Sequence, residues 1–313
     1  MTTSFSFRKV SIILGVFTLL LTIHGYAQPA YPQNPKQAQI IFSDLDHFID
    51  AYKELSKNTD TIRVLQTQYF ERGSDGLKEF VRRHQLTPER LQEAIRENPK
   101  RYALLPDFVS KIGDIQELYT SVLNDFHEVV PNAMYPPTYL IVGANRGIGQ
   151  ASMVGQLITV TRIVGNMDKM KKMLVHELAH FQQAMSMGGQ KYAALYASPD
   201  NMLGMSLREG GAEFVTAQVL GNITQIVGLE YLEKNESRLK EQFLNDLKTQ
   251  NKDFWFWPSL EHETYTKLLG YAIGYKICKQ YYEEAPDKSL ALLDILKMDD
   301  AELFLKSSHY FNR

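Results

Sequence analysis

Residues 174–183 read Leu-Val-His-Glu-Leu-Ala-His-Phe-Gln-Gln, and within them His176-Glu177-x-x-His180 sets two imidazoles four residues apart. On a helix that spacing is one turn, so both rings lie on one face and can be aimed at a single ion. Glu177 stands beside the pair, where a carboxylate can take a proton from a water that the ion activates. The pattern is that of zinc-dependent hydrolysis of peptide bonds. In chains of this composition it arises by chance in roughly 1% of cases. Leu174, Val175, Leu178, Ala179 and Phe181 surround it with apolar residues, which argues against two solvated histidines on an exposed helix. Zinc catalysis also needs a third protein ligand and one position left open to water.

A helix has to carry these residues. Asn166-Met-Asp168 supplies its cap, and the helix is predicted to run to about Met185 and stop at Gly188-Gly189. Upstream, Pro131–Pro137 punctuates the chain. Thr138–Val142 and Gln156–Val164 are rich in β-branched and aromatic residues and read as two strands. Downstream, residues 190–200 read as a loop, and Ser198-Pro199-Asp200 opens a helical region that contains Glu209 and Glu213. Further helices are expected after Asn222, through the charged stretch from Glu230 to Lys252, and over Gly270–Tyr282 and Lys288–Lys306. The aromatic run Phe254-Trp-Phe-Trp257-Pro258 is expected to pack on the core. Before the strands, from Ile41 to about Val130, the period is helical, with segments at Ser43–Tyr52, Leu77–His84, Thr87–Glu97 and Asp107–His127. Gly73–Gly76 breaks this series. His47, His84 and His127 lie in it with no second ligand type at metal spacing, and read as structural or solvated. The fold class implied is α+β, mainly helical.

The chain opens with Arg8-Lys9, an apolar run from Val10 to Ile23, and Gly25-Tyr26-Ala27. Residues 1–27 thus read as a secretory signal peptide, with a mature chain from Gln28; an uncleaved membrane anchor is the alternative, but the run is short for a span. Residues 28–40, with Pro29, Pro32 and Pro35, read as a polar linker, and 41–313 as a single domain with a helical part (41–130) and a catalytic part (131–313). The expectation is an exported protein, periplasmic or extracellular, with no stable membrane span after signal removal. A formal charge of −2 gives no electrostatic case for a nucleic-acid partner. Cys278 is the only cysteine, so stability rests on the apolar core and any bound metal.

A competing reading comes from Gly143-Ala-Asn-Arg-Gly147-Ile-Gly149, which resembles the cofactor loop of short-chain dehydrogenases, with Tyr275-x-x-x-Lys279 imitating their catalytic pair. Pyrophosphate binding requires a helix N-terminus after the loop, whereas this chain continues as a strand pattern. The loop also lies about 140 residues into the chain, and His262 stands where a catalytic serine is needed. A loop between strands explains the glycines more simply.

Taken together, Phe70–Phe80, Pro137–Gly143, the His176–His180 helix, Glu209–Phe214 and Gly270–Tyr275 are similar to a family of predicted Zn-dependent proteases over most of residues 41–313. Leu207-Arg-Glu209-Gly-Gly-Ala-Glu213-Phe resembles the glutamate helix of gluzincin metallopeptidases. The resemblance implies a zincin-like domain with a small sheet next to the His-Glu-x-x-His helix. It also implies Zn2+ held by His176, His180 and Glu209, with Glu213 orienting a ligand histidine from outside. Against this, Ser206-x-x-Glu209 is also a capping box that would tie Glu209 to a helix start. By the same analogy Gln156–Val164 is the strand expected to align an extended peptide. Tyr271 is the first candidate for stabilising the oxyanion, with Tyr275 and His262 behind it. The function expected is a secreted or periplasmic zinc metallopeptidase acting on a peptide or protein substrate with Glu177 as general base. A non-catalytic zinc-binding or interaction protein on the same fold is the alternative, and the dehydrogenase a more distant one.

Overall fold

Apolar residues at helical spacing build the first half of the chain. In the computed structural model, which describes residues 31–57, 59–144, 149–197, 201–221, 226–256 and 268–312, Leu45, Phe48 and Ile49 form the buried face of α1 (Ser43–Leu55). There follow α2 (Thr61–Leu65), α3 (Asp75–His84), α4 (Pro88–Glu97), α5 (Pro99–Tyr102), α6 (Leu105–Ser110) and α7 (Ile112–Val129). Ser74 caps α3 by accepting from the Leu77 amide, and buried Asp44 in turn accepts from Ser74 N at 2.8 Å and Ser74 Oγ at 2.5 Å. Thr87 caps α4, with Pro88 at its first position. The helix expected over Asp107–His127 is two helices. Lys111 leaves the helical region (ψ 21°), and Ser110 Oγ donates back to the Asp107 carbonyl, competing with the helix ladder.

Among the described residues four short strands make one sheet: β1 (Ile40–Ile41), β2 (Thr138–Ile141), β3 (Gly149–Ser152) and β4 (Gly155–Thr159), in the order β1-β2-β4-β3. β1 runs parallel to β2 and β2 parallel to β4, while β3 is antiparallel to β4 and forms an edge. The two expected strands are present, but β4 gives way to a 3-10 turn at Val160–Arg162 rather than reaching Val164. β1 and β3 carry little strand signal, being two residues long and Gly-Gln-Ala-Ser respectively. The linker expected over 28–40 is packed from Tyr31 onward. The Tyr31 ring meets Phe181 edge-on at 4.9 Å, the Pro32 carbonyl accepts from Tyr135 N, and Pro35–Gln37 forms a 3-10 turn capped by Asn34. Tyr31–Arg313 is accordingly one compact unit.

The central element is α8 (Met167–Met187), capped by Asn166 and ended by Gly188 at φ 82°. Leu174 to Gln183 are all buried, so this helix runs through the interior rather than along the surface. Side-chain amides fasten it to its neighbours. Gln156 Nε2 of β4 donates to the Leu174 carbonyl, and Gln182 exchanges two hydrogen bonds with the Met134 backbone. Where a loop was expected, α9 (Gly189–Ala197) begins directly after Gly188. α10 (Met202–Leu220) is capped by Asn201. Ser206 and Glu209 therefore sit inside a helix, and the capping-box alternative does not hold.

The chain closes with α11 (Leu229–Lys234), α12 (Glu236–Thr249), α13 (Asp253–Phe256), α14 (Leu269–Glu284), α15 (Lys288–Lys297) and α16 (Ala301–Ser307). The helix expected over Lys288–Lys306 is broken at Met298, which adopts φ 41°, before Asp300 caps α16. Trp255 and Phe256 are buried, as expected of the aromatic run; Trp257, Pro258 and His262 lie outside the described residues. α10 packs chiefly on α8 and α14. At the α10–α14 crossing Gly210 and Gly274 bring the two backbones into contact, with no room for a Cβ on either. That close approach carries Glu209 and Tyr271 toward the same side of α8. Among the described residues no helix is long and apolar enough to cross a membrane.

Candidate metal centre

The one-turn spacing on α8 sets the rings of His176 and His180 with centroids 4.6 Å apart and planes perpendicular. α10 delivers Glu209 opposite them. Its Oε2 is 3.1 Å from His180 Nε2 and 3.5 Å from His176 Nε2, and three donor atoms, one from each residue, all lie within 4.8 Å of one another. Donors on a tetrahedral zinc ion stand roughly 3.3 Å from one another, so the two carboxylate–imidazole separations fit that ion, as does the chemistry of two imidazoles with one carboxylate. His176, His180 and Glu209 are thus positioned to bind a metal ion, and all three are buried.

Each of these side chains has a polar neighbour behind it. The Arg208 carbonyl can only accept a hydrogen bond, so the amide that meets it at 2.8 Å must be the Nε2 of Gln183. Gln183 Oε1 then accepts from His180 Nδ1 at 2.8 Å, which turns Nε2 toward Glu209, where it donates to the carboxylate at 3.1 Å and would give its lone pair to a bound ion instead. Glu213, one turn after Glu209, sets Oε1 3.5 Å from His176 Nδ1, while its Oε2 pairs with Lys172 Nζ at 2.9 Å. The guanidinium of Arg208, fully buried, pairs with Glu209 Oε1 and lies over the Tyr192 ring at 5.5 Å. Tyr192 in turn approaches the His180 ring at 6.5 Å. The Tyr271 hydroxyl, at the start of α14, faces the Glu209 carboxylate as a hydrogen-bond partner.

Electrostatics follow from this crowding. Burial works to raise the Glu209 pKa, but His180, Arg208 and the imidazole hydrogen bonds hold it well below the usual carboxylate range. Burial raises the pKa of Glu177, which the imidazoles of His180 and His176 only partly oppose. For His176, burial works downward, and the Glu209 hydrogen bond with the charges of Glu213 and Glu177 overcomes it to reach about 9, against 6.5 for a free side chain. A raised histidine pKa contributes stability that is complete below 6.5 and is lost as pH rises through about 9. After chelation the protein is therefore expected to lose on the order of 1–3 kcal/mol between those pH values. With zinc bound the ion replaces the proton, and thermal denaturation should show no such loss. Equal pH dependence in both forms would contradict this.

The structure brings His176, His180, Glu209, Glu177, Glu213 and Tyr271 into one neighbourhood. Tyr275 sits half-buried one turn beyond Tyr271 and packs against Phe214. The dehydrogenase reading lacks its geometry: residues 145–148 lie outside the described set, but 149–152 form strand β3 rather than a helix, and Lys279 pairs with Glu283 at 3.7 Å. His84 and His127 find structural partners in Gln150 and Tyr135. Gln183, Arg208, Tyr192 and Lys172 were not singled out from the sequence. Gln183 had a local signal, lying three residues after His180 on the same helix face; Arg208 acts through α8–α10 packing that spacing does not reveal.

No curated protein and no solved structure matches the chain. Residues 139–304, more than half of it, match the family described as Predicted Zn-dependent protease (DUF2268), a stretch that takes in α8, α10 and α14 and every donor of the metal centre. With a zinc-type ligand set built at the heart of the matched region, the chain belongs to this family of predicted Zn-dependent proteases.

Proposed function

We propose that the protein is an exported zinc metallopeptidase of gluzincin type that hydrolyses peptide bonds with Glu177 as general base. The observation that carries this reading is the convergence of His176, His180 and Glu209 from two buried helices, with the Glu177 carboxylate buried beside them. A zinc ion held by His176, His180 and Glu209 would lower the pKa of its water toward about 7 and polarise the substrate carbonyl. Glu177 takes up the proton given up by the attacking water and passes it to the leaving amine. Gln183 and Glu213 hold the two imidazoles with Nε2 inward, and Arg208 fixes Glu209 by its far oxygen. Tyr271 offers an O–H to the developing oxyanion. Gln156–Val164 is a poor choice for aligning substrate, since β4 is flanked by β2 and β3. The edge strand β3 is the better platform for an extended peptide. Arg8-Lys9, the apolar run and Gly25-Tyr26-Ala27 support export.

A peptide-library assay tests the proposal. Protein from its native host should begin at Gln28, bind about one zinc per chain, cleave peptides, lose that activity on chelation and regain it with added zinc. A chain that retains full zinc and cleaves nothing would instead be a zinc-bearing scaffold.

A further inference from the structure

Gly149 opens the edge strand β3, antiparallel to β4 and paired with Ile158. Its backbone does not adopt a positive φ, so a side-chain-bearing residue could take the same conformation. Space is the reason for glycine. A Cβ at this position would lie 2.5 Å from both Cγ and Oε1 of Glu177 and 2.7 Å from its Cδ, closer than real Cβ contacts occur. Glu177 thus rests against the bare backbone of the edge strand. Its neighbours on α8, Val175, His176 and Leu178, are buried, so the helix itself has little freedom to withdraw. The far end of the Glu177 side chain is the part that can move.

We infer that Gly149 is a positioning residue for Glu177. By having no side chain it lets the carboxylate lie between the edge strand and the metal-binding face of α8, where the proton-transfer role proposed above requires it. The inference rests on that reading of Glu177 for its catalytic meaning, though not for the contact itself. It gives the last glycine of the loop a physical role that nucleotide binding does not supply. Gly149→Ala should fold, because the group displaced, from Cγ to the carboxylate of Glu177, is side chain rather than backbone. The His176, His180 and Glu209 donors are untouched, so zinc should be retained. A carboxylate pushed aside by about 1 Å should cost about 10²-fold in kcat with KM little changed.

The test is a double-mutant cycle on the full zinc-loaded chain, comparing Gly149→Ala, Glu177→Ala and the pair, with zinc content, kcat, KM and unfolding midpoint measured for each. Gly149→Ala is expected to keep its zinc, lose kcat and lower the midpoint by about 2–4 °C. Both losses should vanish when Glu177 is already Ala, because nothing is left to displace. An equal midpoint loss in the two backgrounds, a kcat loss of the same factor in the Glu177→Ala background, or loss of zinc in Gly149→Ala would each overturn the inference. Absence of turnover in the wild type would refute the peptidase reading, while the midpoint coupling would still decide whether Gly149 makes room for Glu177.

Discussion

Replacing Glu177 by Gln should leave zinc content and folding nearly unchanged while peptide hydrolysis falls by about 10²–10⁴-fold, the usual contribution of a positioned general base. Glutamine keeps the size and shape that fit against Gly149, so the surrounding packing has no cause to rearrange. What disappears is the charge and the basic lone pair. Burial raises the Glu177 pKa above the ordinary carboxylate value, toward the range in which a carboxylate can both accept and return a proton. The neighbouring donors, His176, His180 and Glu209, do not include Glu177, so the metal should stay. Measuring kcat/KM and bound zinc side by side separates these roles. Full-rate cleavage in Glu177→Gln would remove Glu177 from the mechanism, and loss of zinc would make it a ligand instead of a base.

How much of this was legible in the sequence depended on whether the signal was local. His176, Glu177 and His180 are a single helical turn, and their spacing alone places them together. The caps Asn166 and Thr87, and the stop at Gly188, are likewise local and were readable from residue type, whereas Ser74 caps α3 inside a stretch that reads only as a break. Glu209 is 29 residues beyond His180, and its own neighbourhood fitted a helix start as well as a ligand. Only tertiary structure decides between them, because the cap of α10 is Asn201 and not Ser206. β3 is not one of the two strands expected because Gly-Gln-Ala-Ser has no β-branched or aromatic residue, and its pairing is imposed by β4. The choice of β4 as the peptide-aligning strand failed for a related reason. Its residues are the most strand-like, which suits a fully buried interior strand rather than an edge. α9 was missed because Gly188-Gly189 signals a stop, and nothing in a stop signal forbids a new helix starting at once.

Glu209 carries two loads, and substitution should expose both. As a donor on the metal face it is expected to matter more than an outer partner, whose loss costs roughly 10–100-fold in metal affinity, so Glu209→Ala should bind zinc more weakly than that. As the carboxylate facing the fully buried Arg208, it also offsets a charge that has no access to water. Its removal should destabilise the fold by about 3–5 kcal/mol, the usual consequence of breaking a buried ion pair from one side. The two effects separate under chelation, where the stability loss persists and the metal term is absent. Glu209→Gln, which keeps an oxygen and the side-chain volume, should lose less affinity than Ala but share part of the charge penalty. Adding Arg208→Met to Glu209→Ala removes the buried cation and should recover much of the stability without recovering zinc. Competition titration with a chromogenic chelator and denaturant unfolding would measure the two quantities independently. Wild-type zinc affinity in Glu209→Ala would show that the third donor lies elsewhere. Full stability in the chelated variant would show that Arg208 depends on other partners, leaving Glu209 a ligand alone.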